Sequence, residues 1–124
     1  MKKLLLPSEK IFIAGANGMV GNAIKRILQK SGYGNTKNDG ELYTPSRKEL
    51  DLTNHQEVKE WFEKYRPTIV IIAAAKVGGI LANATQPANF ILENLKIQTN
   101  IIENAWLMGV KRLLFLGSSC IYPK

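Results

Sequence analysis

The chain has one cysteine, one histidine and no basic run longer than two residues, and each scarcity excludes a class of protein. With Cys120 alone there is no disulfide framework, and a lone thiol fits a reducing compartment. The longest apolar run, residues 69–75, is seven residues, whereas a membrane-spanning helix needs about 20. The opening Met1-Lys2-Lys3-Leu4-Leu5-Leu6-Pro7 imitates a secretory leader, but the proline stops the leucines short of the roughly 7–15 residues of an apolar leader core. Internal repeats and low-complexity tracts are missing as well. Acidic residues are few: 10 Asp and Glu against 17 Lys and Arg leave a net charge of +7 over 124 residues. That excess admits a nucleic acid, a membrane surface or a phosphate-rich small molecule. The cations come at most in pairs, as in Lys25-Arg26 and Arg47-Lys48, with none of the interleaved aromatics of a single-strand stacking platform. They read as solvated helix faces. The expectation is a soluble, cytoplasmic, single-domain protein with no nucleic acid, membrane or metal partner.

What is present is an ordinary globular composition, 45% hydrophobic and 22% charged, in which apolar runs alternate with helical patterns. Residues 10–15 read as a buried strand ending in glycine. Val20, Ala23, Ile24, Ile27 and Leu28 fall at helical spacing within residues 19–30. Glycines and asparagines between 31 and 40 predict a loop, and residues 41–46 a weak second strand closed by Pro45. Thr53-Asn54-His55-Gln56 has the spacing of a helix-capping sequence, followed by the stripe Val58, Trp61, Phe62 and Tyr65, with Pro67 as the stop. Residues 68–75 are apolar without alternation, as in a strand of a parallel sheet buried on both faces. A long helix is predicted from Pro87 to Met108, stopped by Gly109, and a fourth strand from Arg112 to Ser118. The order β-α-β-α-β-α-β implies an α/β, Rossmann-like doubly wound parallel sheet, with four strands expected in the order 3-2-1-4.

Between the first strand and the first helix lies Gly15-Ala16-Asn17-Gly18-Met19-Val20-Gly21. In a dinucleotide-binding turn the first glycine permits the tight bend, the second lets the backbone approach a pyrophosphate, and the third lets helix and sheet pack closely. At the end of the second strand an NAD site would carry a carboxylate for the ribose 2′-hydroxyl; here the sequence reads Ser46-Arg47-Lys48. A guanidinium can fork onto a 2′-phosphate, which favours NADP. Asp51 either contacts the adenine edge or approaches the next helix's amino end. The ligand is expected at the strand-order reversal, placed between strands one and four, to which the end of strand four delivers Ser118 and Cys120. A hydroxyl there can hydrogen-bond a carbonyl that accepts hydride, and a thiol can move protons; a strand-ending turn and a small buried apolar residue are the alternatives.

The glycine loop with Met19-Val20-Gly21, the run Ala73-Ala74-Ala75-Lys76-Val77-Gly78-Gly79-Ile80, and the stretch from Leu113 to Lys124 containing Gly117-Ser118-Ser119-Cys120-Ile121-Tyr122-Pro123 resemble the GDP-L-fucose synthase family of extended short-chain dehydrogenases/reductases. The resemblance spans residues 10–124. It implies epimerisation beside a 4-keto group of a GDP-sugar followed by hydride delivery from NADPH, in a homodimer built with the long helix. It further implies Ser118 as the hydroxyl on the keto oxygen and Cys120 as acid/base. Gly15, Asn17, Gly18, Met19, Val20 and Gly21 would surround the pyrophosphate, although the family usually has arginine where this chain has Asn17. Arg47 would meet the 2′-phosphate, and Asp51, Leu52, Ala73, Ala74 and Ala75 would line the adenosine side. The family's Tyr-x-x-x-Lys pair, its histidine and its substrate domain come later in the chain. Residues 1–124 are therefore expected to be an NADP-binding amino-terminal portion, inactive alone. The Tyr33–Lys37 spacing lies in a loop and reads as chance, and His55 as a surface or capping residue. A non-catalytic dinucleotide module and another nucleotide-sugar epimerase or dehydratase are the alternatives.

Overall fold

The computed structural model of the chain describes residues 5–73 and 87–116, without the side chains of Pro87 and Phe90. Among these residues strands and helices alternate: β1 Lys10–Ala14, α1 Met19–Lys30, β2 Glu41–Tyr43, α2 His55–Tyr65, β3 Ile69–Ile72, α3 Pro87–Leu107 and β4 Arg112–Phe115. All the strand pairs are parallel. The expected Rossmann-like α/β architecture is therefore what the chain adopts, and α1 starts and stops at the expected residues.

The strand order is β2-β1-β3-β4, which corrects the expected 3-2-1-4. Burial explains the difference. All four residues of β3 are buried, and such a strand needs a neighbour on each side and a helix on each face. In the expected order it would have been an edge. The half-buried Glu41–Tyr43 takes one edge instead, and β4 takes the other, with Leu113, Leu114 and Phe115 exposed. The chain runs outward from β1 to β2 and then back across β1 to β3. Right-handed crossovers in opposite directions place their helices on opposite faces of the sheet.

The two-residue period of the strands sorts the core accordingly. Ile11, Ile13, Ile69 and Ile71 meet Ile24 and Leu28 of α1 on one face. Phe12, Ala14, Val70 and Ile72 meet Val58 and Phe62 of α2 and Ile97, Ile101 and Ala105 of α3 on the other. Parallel register sets these like residues side by side, with Phe12 opposite Val70 and Ile13 opposite Ile71. Phe12 lies edge-on to Phe62 at 5.7 Å between ring centroids, and Trp61 closes the cluster at 4.4 Å from Phe12.

Local chemistry ends the elements. The side chain of Asn54, not Thr53, caps α2 by accepting from the Glu57 amide at 3.1 Å. The helix finishes at Arg66, in the left-handed region at φ 47°, just before Pro67. Tyr33, of the rejected Tyr-x-x-x-Lys spacing, donates its hydroxyl to the Leu5 carbonyl and ties down the segment before β1. At the amino ends of the strands, the buried Glu9 carboxylate receives both its hydrogen bonds from Lys111 at 3.3 Å. The carboxyl ends, on the opposite rim, are left to the loops. Among the described residues no helix is long and apolar enough to cross a membrane.

Candidate functional site

At the carboxyl ends of β1 and β3 the order reverses, and a crevice opens there with a cavity of about 820 Å³. The flanking strands are β1 and β3, not β1 and β4 as the sequence order suggested; β4 is one strand further out. A crevice at such a reversal is the general ligand position of open α/β sheets.

The floor is the turn leaving β1. Gly15 sits at φ 86°, a left-handed conformation that a side chain would oppose. Its carbonyl accepts from the Gly18 amide at 3.1 Å and closes the bend. Gly21 is buried under this bend, where a β-carbon would stand 2.0 Å from the Gly15 oxygen and 2.9 Å from the Ala16 α-carbon. Backbone cannot yield that space, so only glycine lets α1 lie this close to β1. Gly18 opens α1 with no side-chain cap and no acidic residue in the first turn. First-turn amides left uncapped, together with the helix dipole, suit an anion.

A second wall comes from residues 45–53. Pro45, Ser46, Arg47, Lys48, Leu50, Asp51, Leu52 and Thr53 all line the cavity, which gives the crevice two adjacent cations. Asp51 turns its carboxylate to Thr53, accepting from the amide at 3.0 Å and the hydroxyl at 2.6 Å. Those two hydrogen bonds hold its carboxyl below the usual carboxylate range, against a small opposing effect of burial. Asp51 lines the crevice and also stands at the amino end of α2, where its amide donates to Glu57 Oε1 at 3.4 Å while Asn54 supplies the cap.

Of the residues expected to form the site, Gly15, Asn17, Gly18, Arg47, Asp51, Leu52 and Ala73 come together around one cavity. Met19 and Val20 are exposed on the first turn of α1 rather than in the lining, and Gly21 acts from below. Ala74, Ala75, Ser118 and Cys120 lie outside the described residues. The strand preceding Ser118 and Cys120 in the chain ends at Phe115, in register with Ile72. Glu93 and Ile97 of α3, which no sequence motif marks, complete the lining. Ile97 looked like one more core position, and an isolated carboxylate on a helix carries no motif.

A dinucleotide fits these observations. The bend leaves no room for a side chain at Gly21, the first turn of α1 carries uncapped amides, and Arg47 and Lys48 line the same crevice. Comparisons with known proteins agree. Residues 11–124 match the NAD dependent epimerase/dehydratase family. GDP-L-fucose synthase 1 of Arabidopsis thaliana is 56% identical over 117 residues, covering 94% of this chain and 34% of that protein. The structure of a GDP-mannoheptose C4 reductase from Campylobacter jejuni with NADP bound superposes with a TM-score of 0.84 at 42% identity, covering 96% of this chain and 36% of that one. A GDP-L-fucose synthetase from Naegleria fowleri bound to NADP does so at 0.80 and 32% identity, covering 97% and 34%. The chain thus spans about a third of the length of the curated relatives it matches. A parallel sheet with a glycine turn at its reversal point and a family match over nearly its whole length lead to one assignment: this chain belongs to the NAD dependent epimerase/dehydratase family.

Proposed function

We propose that the chain is the NADP-binding amino-terminal portion of a GDP-sugar epimerase/reductase of the GDP-L-fucose synthase type, acting in the cytoplasm. The observation that carries this reading is that Arg47 and Lys48 line the same crevice as the Gly15–Gly18 turn. The pyrophosphate is assigned to that turn and the uncapped start of α1, the 2′-phosphate to Arg47, and the adenosine to the wall at Asp51 and Leu52 and to Ala73, Ala74 and Ala75. When bound, NADPH supplies the hydride for a 4-keto group. Ser118 donates its hydroxyl proton in a hydrogen bond to the keto oxygen, which stabilises negative charge developing there. Cys120 exchanges protons at the carbons beside the ketone. The names of the relatives, GDP-L-fucose synthase and GDP-sugar reductase, support the substrate class.

Calorimetric titration of the intact protein with NADP and with NAD tests the cofactor assignment. Saturable binding with NADP the tighter ligand is expected. Equal affinities would remove Arg47 from the 2′-phosphate, and no binding of either would remove the dinucleotide.

The homodimer belongs to the same proposal. Ile91, Leu95, Ile102 and Trp106 of α3 are exposed, recur at helical spacing, and face away from the buried Ile97, Ile101 and Ala105. A second copy laid on this face would cover them. Sedimentation equilibrium is expected to give a dimer, and Trp106→Glu a monomer.

A further inference from the structure

Arg47 and Lys48 occupy the middle of a small closed loop of hydrogen bonds. The Ser46 amide donates to Glu49 Oε1 at 3.1 Å, and the Glu49 amide donates to Ser46 Oγ at 3.3 Å. The Ser46 carbonyl also accepts from the amides of Glu49 at 3.0 Å and Leu50 at 2.9 Å. This is the reciprocal pairing of a capping box, formed on a single turn with no helix behind it. Pro45 enters the turn with a restricted φ, and Leu50 leaves it as a buried core residue. Everything in the segment is tied down except the two cationic side chains, which are exposed and line the crevice. Glu49 is not among the lining residues.

We propose that Glu49, paired with Ser46, is a positioning residue that sets the preference for NADPH over NADH by holding the backbone from which Arg47 reaches the 2′-phosphate. The inference rests on the assignment of Arg47 above. An arginine on a free loop loses both backbone and side-chain freedom when it grips a phosphate, and a pre-formed turn leaves only the side-chain part to be lost. The pairing also engages the carboxylate of Glu49, two residues from Arg47 in the chain, where an unengaged carboxylate would compete with the phosphate for the guanidinium. NADH presents no 2′-phosphate to this turn, so its binding is insensitive to the brace.

The test is the pair of dissociation constants for NADPH and NADH, measured by titration on the intact protein and its variants Arg47→Ala, Glu49→Ala, Glu49→Gln and Ser46→Ala. Glu49→Ala and Ser46→Ala are expected to weaken NADPH roughly fivefold, the value of one ordinary hydrogen bond, and to leave NADH within about twofold. Glu49→Gln keeps an acceptor oxygen for the Ser46 amide and is expected to retain the NADPH preference. If Arg47→Ala abolishes the preference while Glu49→Ala and Ser46→Ala leave it intact, the brace is refuted and the Arg47 assignment stands. If Arg47→Ala leaves the preference intact, the assignment falls and the brace with it. Equal weakening of both nucleotides by Glu49→Ala would show a merely structural role, and a Glu49→Gln variant behaving as Glu49→Ala would show an effect of charge; either overturns the proposal.

Discussion

The side-chain amide of Asn100 on α3 donates to the main-chain carbonyl of Leu52 at 3.0 Å, so a residue buried in one helix holds the crevice wall that leads into another. Its oxygen faces His55 Nδ1 at 3.4 Å, at the first position of α2. The side-chain amide of Asn104 in turn donates to the main-chain carbonyl of Asn100 at 2.7 Å. Asp51, Leu52 and Thr53 are thus secured both from within, through the Asp51 and Thr53 hydrogen bonds, and by a residue 48 positions further along the chain.

Asn100→Ala removes the donor and leaves the Leu52 carbonyl without its protein partner. The expected loss of stability is about 1–3 kcal/mol, read by urea denaturation. NADPH and NADH are expected to weaken together, because the adenosine side is common to both, in contrast to the selective effect of Glu49→Ala.

Gly21→Ala places a methyl group against the Gly15 carbonyl, at 2.0 Å before any relaxation. Forced overpacking against backbone is expected to cost at least about 3 kcal/mol and to abolish dinucleotide binding, as α1 moves off β1. Gly18→Ala meets the same carbonyl at 3.4 Å, with φ −76° that any residue accepts. Its melting temperature is expected close to that of the parent. A Gly21→Ala protein that melts and binds like the parent would contradict the role of close packing.

Phe62 is fully buried on α2, edge-on to Phe12 and to Trp61 at 5.6 Å. Phe62→Ala is expected to cost about 3–5 kcal/mol through lost burial and the cavity left behind. Equilibrium unfolding measures it directly.

The Asp51 carboxyl is held below its usual pKa by the two hydrogen bonds from Thr53. A lowered pKa in the folded state means that the folded chain favours the carboxylate. The contribution is present above the unfolded value of about 4 and is lost as pH falls through the folded one. Thr53→Val deletes the hydroxyl donor, so the Asp51 titration, followed by NMR, is expected to move up toward the ordinary value. The parent's stability advantage over Thr53→Val is expected at neutral pH and to vanish in strong acid.

Much of this was legible because it is local. The helix at 19–30 follows from apolar spacing between a glycine bend and a glycine-rich loop, and the end of α2 from Pro67. The glycine turn announced itself through residue types that a tight bend requires. Less legible was anything decided by competition between distant segments. Thr53 looked like the cap of α2, but Asn54 took that place and left Thr53 to Asp51. Glu93 and Ile97 joined the crevice only because α3 packs on the face of the sheet below it.

The alternation of strands and helices, the burial of residues 69–72 and the chemistry of the Gly15–Gly21 turn are written locally in the chain, since backbone sterics and side-chain periodicity act within a few residues. The strand order came from long-range packing, because an interior place between β1 and β4 pairs both edges of β3 and leaves both its faces to the helices. That packing also divided the apolar residues of α3, sending Ile97, Ile101 and Ala105 to the sheet and leaving Ile91, Leu95, Ile102 and Trp106 outside. Helical spacing marks both sets as apolar; which of them faces the core is a matter of which surface the sheet and α2 leave open.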